Sequence, residues 1–136
     1  MAQAGSDRGL VFIVDDDVSF REALEGMVTS FGYGVRAFGS AQAFLGDPGP
    51  AGALCLILDV NMAGMDGLEL QSELVARGRA APTIFVSSVE DARIRERALA
   101  GGAVAFFSKP FDREALMARI SLLAGHSEAR AGEGVG

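Results

Sequence analysis

The stretch LVFIVDDD, residues 10–17, decides the fold of this chain, because a short apolar run passes directly into three carboxylates. The run Leu10–Val14 contains β-branched and aromatic side chains and suits a strand that is covered on both faces of a sheet. The three aspartates mark the carboxyl end of that strand. The stretch therefore predicts a buried strand with an acidic end.

Four more short runs follow, and amphipathic patterns with helical spacing separate them. Arg36 interrupts the first of the four, which predicts an edge strand. This order of strand and helix, repeated five times, predicts an α/β fold with helices on both faces of one five-stranded parallel sheet. The four further runs are Val35–Phe38, Leu54–Leu58, Thr83–Val86 and Val104–Phe107.

The composition suits one globular domain, which we place at residues 8–125, followed by a flexible tail or linker start at 126–136. The chain has 136 residues, of which 49% are hydrophobic and 22% charged. Its net charge of -6 disfavours a nucleic-acid or acidic-membrane surface. A single cysteine excludes an internal disulfide framework, and no apolar run approaches the roughly 18 residues of a membrane span. We expect a soluble cytoplasmic domain.

Polar side chains follow four of the five predicted strands. Asp15–Asp17 follow the first strand, Asp59 the third, Ser87 the fourth and Lys109 the fifth. In open parallel sheets, ligands bind outside the carboxyl ends of the strands, so we expect these groups to share one rim. Lys109 is the only lysine in the chain, which makes its place directly after a strand informative.

The repulsion between carboxylates clustered at this rim has to be offset by protonation or by a cation. Two carboxylates about 5 Å apart repel by roughly 3 kcal/mol at an effective dielectric constant near 20. Either a carboxyl pKa rises or a cation neutralises the charge, and Mg²⁺ prefers such hard oxygen ligands. A lysine opposite the acids suits a phosphoryl group. The pattern indicates phosphoryl transfer with an aspartate as covalent acceptor.

Each of these residues has a simpler interpretation. Asp15–Asp17 can cap the first helix, and for Asp17 we prefer that role. Asp59 can be a turn residue, Ser87 a loop hydroxyl, and Lys109 a solvated cation.

The segments VFIVDDDVSFREAL, LILDVNMAGMDGLEL, TIFVSS and AVAFFSKPF resemble, in this order and spacing, the receiver domain of two-component response regulators. The resemblance covers about residues 10 to 124. Each motif alone is weak, whereas all of them in order are specific. The resemblance implies a flavodoxin-like fold with strand order 2-1-3-4-5 and a phosphoacceptor rather than an enzyme.

The resemblance also implies a metal and acceptor site. Asp59 would accept the phosphoryl group. Asp16 and Asp59 would bind Mg²⁺ directly, and Asp15 would bind it directly or through water. Asn61 would supply its backbone carbonyl. The phosphoryl donor would be a histidine kinase or a histidine phosphotransfer protein.

Three further positions would serve the phosphoryl group and the conformational switch. Ser87 would hydrogen-bond the phosphoryl group, and Lys109 would pair with it. Phe106 occupies the switch position, although it can also be an ordinary phenylalanine of the fifth strand. The Lys109–Pro110 bond would be cis. The face formed by the fourth helix, fifth strand and fifth helix would then bind a partner or form a homodimer.

The chain departs from the family pattern in the loop after the acceptor, where Ala63 replaces a frequent proline, and Ser87 stands where many members have threonine. Val89 cannot orient an attacking water by hydrogen bonding. We therefore predict no fast self-dephosphorylation, and a phosphoryl half-life of seconds in Mg²⁺ would contradict this.

Three other functions remain open. An aspartyl-nucleophile phosphatase would need an acid/base carboxylate where this chain has Asn61. A flavin-binding electron carrier would need a hydroxyl-rich loop in place of the three aspartates. The chain can also be the excised receiver of a transcription factor with a helix-turn-helix output domain.

Overall fold

The computed structural model describes residues 9–47, 53–88 and 91–135, with side chains as far as residue 125. Five strands and five helices alternate along the chain. In order they are β1 (Leu10–Val14), α1 (Val18–Ser30), β2 (Gly34–Phe38), α2 (Ala41–Leu45), β3 (Cys55–Asp59), α3 (Gly67–Ala76), β4 (Thr83–Ser87), α4 (Ala92–Ala100), β5 (Ala105–Ser108) and α5 (Arg113–Val135).

The five strands form one parallel sheet with the order β2-β1-β3-β4-β5. This confirms the predicted α/β class and the flavodoxin-like strand order. β2 lies at one edge, as the interruption by Arg36 predicted, and none of its residues is fully buried. β3 and β4 lie inside the sheet, and all their residues are buried. The continuous apolar runs therefore mark the strands that are covered on both faces.

The core lies on both faces of the sheet, because successive residues of a strand point to opposite sides. Ile13 packs with the apolar residues of α1 and α5, whereas Phe12 packs with those of α2, α3 and α4. Each face is thus closed by a separate hydrophobic layer. The helix residues buried in these layers include Leu24, Val28, Leu116 and Ile120 on the first face and Phe44, Leu70, Leu74 and Ala98 on the second.

Three strands end one residue later than predicted, among them β4, which ends at Ser87 rather than at Val86. β3 ends at Asp59 rather than at Leu58, and β5 ends at Ser108. The cause is strand pairing, since Asp59 lies opposite Val86 and Ser87 lies opposite Ser108. The polar residues therefore belong to the ends of the ladders and are held by them.

Side-chain caps form at the starts of α1, α2 and α5. The side chain of Asp17 accepts a hydrogen bond from Phe20 N, and that of Ser40 accepts one from Ala43 N. The side chain of Asp112 accepts from Glu114 N in the first turn of α5. These caps satisfy backbone donors that have no partner within the helix.

The helix α5 continues to Val135, so the backbone of residues 126–135 is helical where we predicted a flexible tail. Glutamate, alanine and arginine in this segment favour helix, and the glycines at 132 and 134 do not end it. Gly136 lies outside the described residues, and the domain boundary at 125 stays a prediction. Among the described helices, none combines the length and apolarity that crossing a membrane requires.

Candidate functional site

Asp15, Asp16 and Asp59 form one acidic cluster, because β1 and β3 are neighbours with Val14 opposite Leu58. One carboxylate oxygen from each aspartate lies within 4.8 Å of the others. Asp15 and Asp59 are only 1% and 4% exposed, whereas Asp16 is exposed. Two of the carboxylates are thus taken out of water, and the third opens the cluster to solvent.

Hydrogen bonds hold Asp15 in place at the end of β1. Its backbone N–H donates to Phe38 O at 3.0 Å, which extends the pairing with β2 by one residue. Its side-chain Oδ1 accepts from Asp17 N at 2.9 Å, and Arg21 Nη1 donates to its carbonyl oxygen at 2.7 Å. Asp17 therefore serves the cap of α1 and also orients its neighbour in the cluster.

The loop between β3 and α3 closes on the cluster from the other side. Ala63 N donates to Asp16 Oδ2 at 3.2 Å, so this loop contacts the exposed carboxylate. Asp66 caps α3 in a reciprocal capping box with Glu69, in which both bonds join a side chain to a backbone N–H. The segment before α3 is therefore a structured entry into the helix.

Gly67 is a site residue that the sequence analysis missed. A Cβ atom on Gly67 would overlap the backbone carbonyl oxygen of Asp59 and lie 3.1 Å from the Phe85 ring. Gly67 N also donates to Val60 O at 2.9 Å. The first turn of α3 therefore rests directly on the backbone of Asp59. In the sequence, the dipeptide Asp66–Gly67 indicates only the start of a helix after a turn. That Gly67 contacts Asp59 depends on the distance between α3 and β3.

Lys109, which directly follows β5, joins the acidic cluster. Its Nζ lies 3.0 Å from Asp15 Oδ2 and 3.7 Å from Asp59 Oδ1, and the side chain is 16% exposed. Its backbone N–H donates to Ser87 O at 2.7 Å, and the Lys109–Pro110 bond is cis, as the resemblance implied. The ammonium thus lies among the carboxylates rather than in solvent.

The surroundings of the Asp59 carboxyl group raise its pKa from 3.8 to about 7. Burial is the largest cause, followed by repulsion from Asp15 and, more weakly, from Asp16. The ammonium of Lys109 and a hydrogen bond from the Asn61 backbone lower the pKa but do not offset the burial. One lysine therefore leaves the cluster short of positive charge.

The residues present fit a magnesium ion. The donors are carboxylate oxygens, two of them buried and one exposed, and both burial and the charge of Asp15 raise the pKa of Asp59, so a bound cation would favour its ionised form. A hard cation held by a few carboxylates would keep open positions for water or phosphate oxygens. Asp15, Asp16 and Asp59 would hold it. Asn61 directly follows Val60 in the loop at the cluster.

Ser87 and Phe106 lie on the side of the rim away from β1. Ser87 ends β4, is fully buried, and faces Ser108 across the ladder. The Phe106 ring is 7% exposed and packs against Phe85 with ring centroids 6.4 Å apart. The Arg95 guanidinium lies 5.6 Å from the centre of the Phe106 ring. In this structure the predicted switch ring is therefore buried between β4 and α4.

A cavity of about 320 Å³ adjoins the Phe106 ring. Its lining includes Asp91 and Ala92 at the start of α4, Arg95, Phe106 and Ser108. Arg93, Arg95 and Arg97 are exposed along α4, and Arg113 is exposed at the start of α5. Val89, on which the predicted phosphoryl lifetime depends, lies outside the described residues.

The family model for the response regulator receiver domain matches residues 11–121. Response regulator protein TmoT of Ectopseudomonas mendocina is 44% identical over 111 residues, which are 82% of this chain and 50% of TmoT. Transcriptional regulatory protein FixJ of Bradyrhizobium diazoefficiens is 34% identical over 113 residues, which are 83% of this chain and 55% of FixJ.

The solved structure of response regulator StyR superposes with a TM-score of 0.78 and 38% identity, covering 91% of this chain and 65% of that one. The chain spans about half the length of the curated relatives it matches. The residues that the family model matches, 11–121, contain the acidic cluster and nearly all of the five-stranded sheet. The chain therefore belongs to the response regulator receiver domain family of two-component systems.

Proposed function

We propose that this domain accepts a phosphoryl group on Asp59, with Mg²⁺ bound, from a histidine kinase or a histidine phosphotransfer protein. The observation that carries the proposal is the convergence of three aspartate carboxylates and the only lysine of the chain at one end of the sheet. The domain is then a phosphoacceptor rather than an enzyme acting on a separate substrate. A cytoplasmic location stays a prediction.

Asp59 supplies the nucleophile from a fixed position at the end of β3. A carboxylate oxygen attacks the phosphorus in line, an O–P bond forms, and the P–N bond to the donor histidine breaks. The electron pair of that bond returns to the imidazole. Mg²⁺, when bound, supplies positive charge to the carboxylates and to the transferring phosphoryl oxygens. Lys109 Nζ, at 3.7 Å from Asp59 Oδ1, lies close enough to pair with the new phosphoryl group.

The phosphoryl group would change the other side of the rim through Ser87. The Ser87 hydroxyl belongs to the strand next to Asp59 and would turn toward the new acceptor oxygens. That movement leaves room beside Phe106, and the α4-β5-α5 face then changes shape. Phosphate therefore favours one of two states of this face. We propose that this face binds a partner or forms a homodimer, with the exposed arginines of α4 as polar contacts. The alternative is that these arginines are only a solvated helix face.

Covalent labelling tests the acceptor. Acetyl phosphate with Mg²⁺ should add one phosphoryl group, and Asp59→Asn should abolish the labelling. Asp17→Asn is the matched control, since it makes the same chemical change at a carboxylate outside the cluster of Asp15, Asp16 and Asp59, while asparagine still caps α1. We expect it to label like the unchanged chain. Label that persists at another residue in the Asp59→Asn variant would overturn the assignment.

Transcriptional control within a longer protein is the second candidate, for the output of the domain. It is favoured by the match to about half the length of FixJ, whose name describes a transcriptional regulatory protein. The reading frame beyond Gly136 tests it directly. A helix-turn-helix segment there would support gene regulation, and a stop codon would support a receiver that acts through protein contacts alone.

A further inference from the structure

The ammonium of Lys109 has an aromatic neighbour as well as its two carboxylate partners. Lys109 Nζ lies 4.0 Å from the centre of the Phe20 ring, well inside the range of a cation–π contact. The lysine side chain is only 16% exposed, so water screens this contact weakly. The ammonium is therefore held between an aromatic face and the carboxylates of Asp15 and Asp59.

The Phe20 ring is itself well anchored. Phe20 N donates to Asp17 Oδ1 at 3.1 Å, which fixes the backbone in the first turn of α1. The ring meets Phe111 edge-on, with centroids 5.7 Å apart and planes at 85°. Phe111 lies two residues after Lys109, so these contacts join α1 to the segment that carries the lysine. The ring can hold the ammonium because it is held from both sides.

We propose that Phe20 is a positioning residue of the phosphoryl site, whose ring face keeps the Lys109 ammonium in place while its anionic partners change. This inference rests on the proposed phosphoacceptor function. In that function Asp59 would become esterified and Asp15 would help to hold Mg²⁺, so both carboxylate partners of Lys109 would change. The Phe20 ring is the neighbour that stays the same. It adds attraction without adding an acceptor that the phosphoryl group would have to displace.

The only lysine of the chain makes this contact directly measurable. Lysine-selective isotope labelling gives one set of side-chain NMR signals, which belongs to Lys109. The ring current of Phe20 should move the Lys109 ε-methylene protons upfield. Phe20→Leu should return them to their ordinary position. Phe38→Leu, which removes a ring that packs against Phe12 and Phe44 rather than against Phe20 or the ammonium, should leave them upfield.

Binding of beryllofluoride with Mg²⁺ tests the consequence for the site. We expect Phe20→Leu to weaken beryllofluoride binding about fivefold, as for the loss of one partly buried cation–π contact. Phe20→Tyr should restore the affinity to within about twofold, since tyrosine also presents a ring face. Phe38→Leu should stay within the same range. Should Phe20→Leu not fold, a ring-trifluorinated phenylalanine at this position keeps the shape, weakens the π face and should lower the affinity in the same direction.

The two measurements separate this inference from the proposed function. An unmoved Lys109 signal in Phe20→Leu overturns the contact, whatever the domain does with phosphate. Unchanged beryllofluoride affinity in that variant, with normal binding by the parent chain, overturns the positioning role and leaves the acceptor function standing. Failure of the parent chain to bind beryllofluoride would remove the proposed function, and the positioning role with it.

Discussion

At the carboxyl edge of the sheet, the acidic side, built on β1, β3 and α3, can be compared with the switch side, built on β4, β5 and α4. On the acidic side, α3 buries five residues and begins in direct contact with the Asp59 backbone. On the switch side, Ala98 is the only buried residue among the nine of α4, all of which the structure describes. A cavity of about 320 Å³ lies beside Phe106.

The difference matches what each side has to do in the proposed function. In-line transfer needs a carboxylate and a cation held within a fraction of an ångström, which requires dense packing around Asp59. A change of shape needs an element that is weakly held and has space to move into. The proposed function would therefore place the phosphoryl chemistry beside the more deeply buried helix α3 and the conformational change beside the less buried helix α4.

The largest effect is expected on the acidic side, where burial and the charge of Asp15 disfavour the ionised form of Asp59. Because burial and Asp15 raise the pKa of Asp59 to about 7, the folded chain holds this proton more tightly than the unfolded chain does. The stability due to that proton is present below pH 4 and is lost as the pH rises through 7. Asp59→Asn should therefore raise the free energy of unfolding by about 3 kcal/mol at pH 8 without metal.

Urea unfolding at pH 4.5 and pH 8 measures this effect. The two proteins should differ little at the lower pH and most at the higher one. Asp17→Asn, whose carboxylate is exposed, provides the control and should show no comparable rise. If the Asp59→Asn variant is no more stable than the parent chain at pH 8, the ionised Asp59 carboxylate does not destabilise the fold.

A smaller effect tests the packing of α3 on the acceptor. Gly67→Ala puts a methyl group onto the Asp59 carbonyl oxygen, so α3 or the end of β3 has to move. We expect a loss of about 2 kcal/mol in the free energy of unfolding and weaker Mg²⁺ binding. Gly26→Ala in α1, where a Cβ meets nothing within 4 Å, should instead stabilise by about 0.5–1 kcal/mol. Equal effects of the two substitutions, measured by urea unfolding and metal titration, would refute the close fit.

The smallest effect is expected on the switch side. Phe106→Leu keeps an apolar side chain beside an existing cavity, so the free energy of unfolding should fall by only about 1 kcal/mol. Mg²⁺ affinity should stay unchanged, because Phe106 contacts Phe85 and Arg95 rather than the acidic cluster. The shifts of α4 amide NMR signals on adding beryllofluoride should shrink. A large loss of Mg²⁺ affinity in this variant would show that the two sides are not separable.

The sequence predicted the fold and the members of the acidic cluster for one physical reason. Buried parallel strands need continuous apolar runs, and the residue after each run lies at a common edge. Asp15, Asp59 and Lys109 could therefore be placed at one rim before any distance was known. In the structure the two carboxylates lie within salt-bridge range of the lysine ammonium. The edge position of β2 followed from Arg36 in the same way.

Other features could not be read from the order of residues. Asp66 and Gly67 indicate a turn in the sequence, yet the close fit of Gly67 depends on how near α3 approaches β3. The contact between Phe20 and Lys109 joins residues from opposite ends of the chain and depends on the packing of α1 beside the segment after β5. The sequence also suggested a tail after residue 125, where the helical backbone of α5 continues.

The amino-acid sequence by itself determined the alternation of strands and helices, the parallel sheet and the carboxylates at its rim, because hydrophobic periodicity and strand direction are local properties of the chain. The tertiary structure alone decided the raised pKa of Asp59, the partners of Lys109 and the contrast between α3 and α4. Those properties depend on distances and burial, which arise only when separate elements pack together and exclude water.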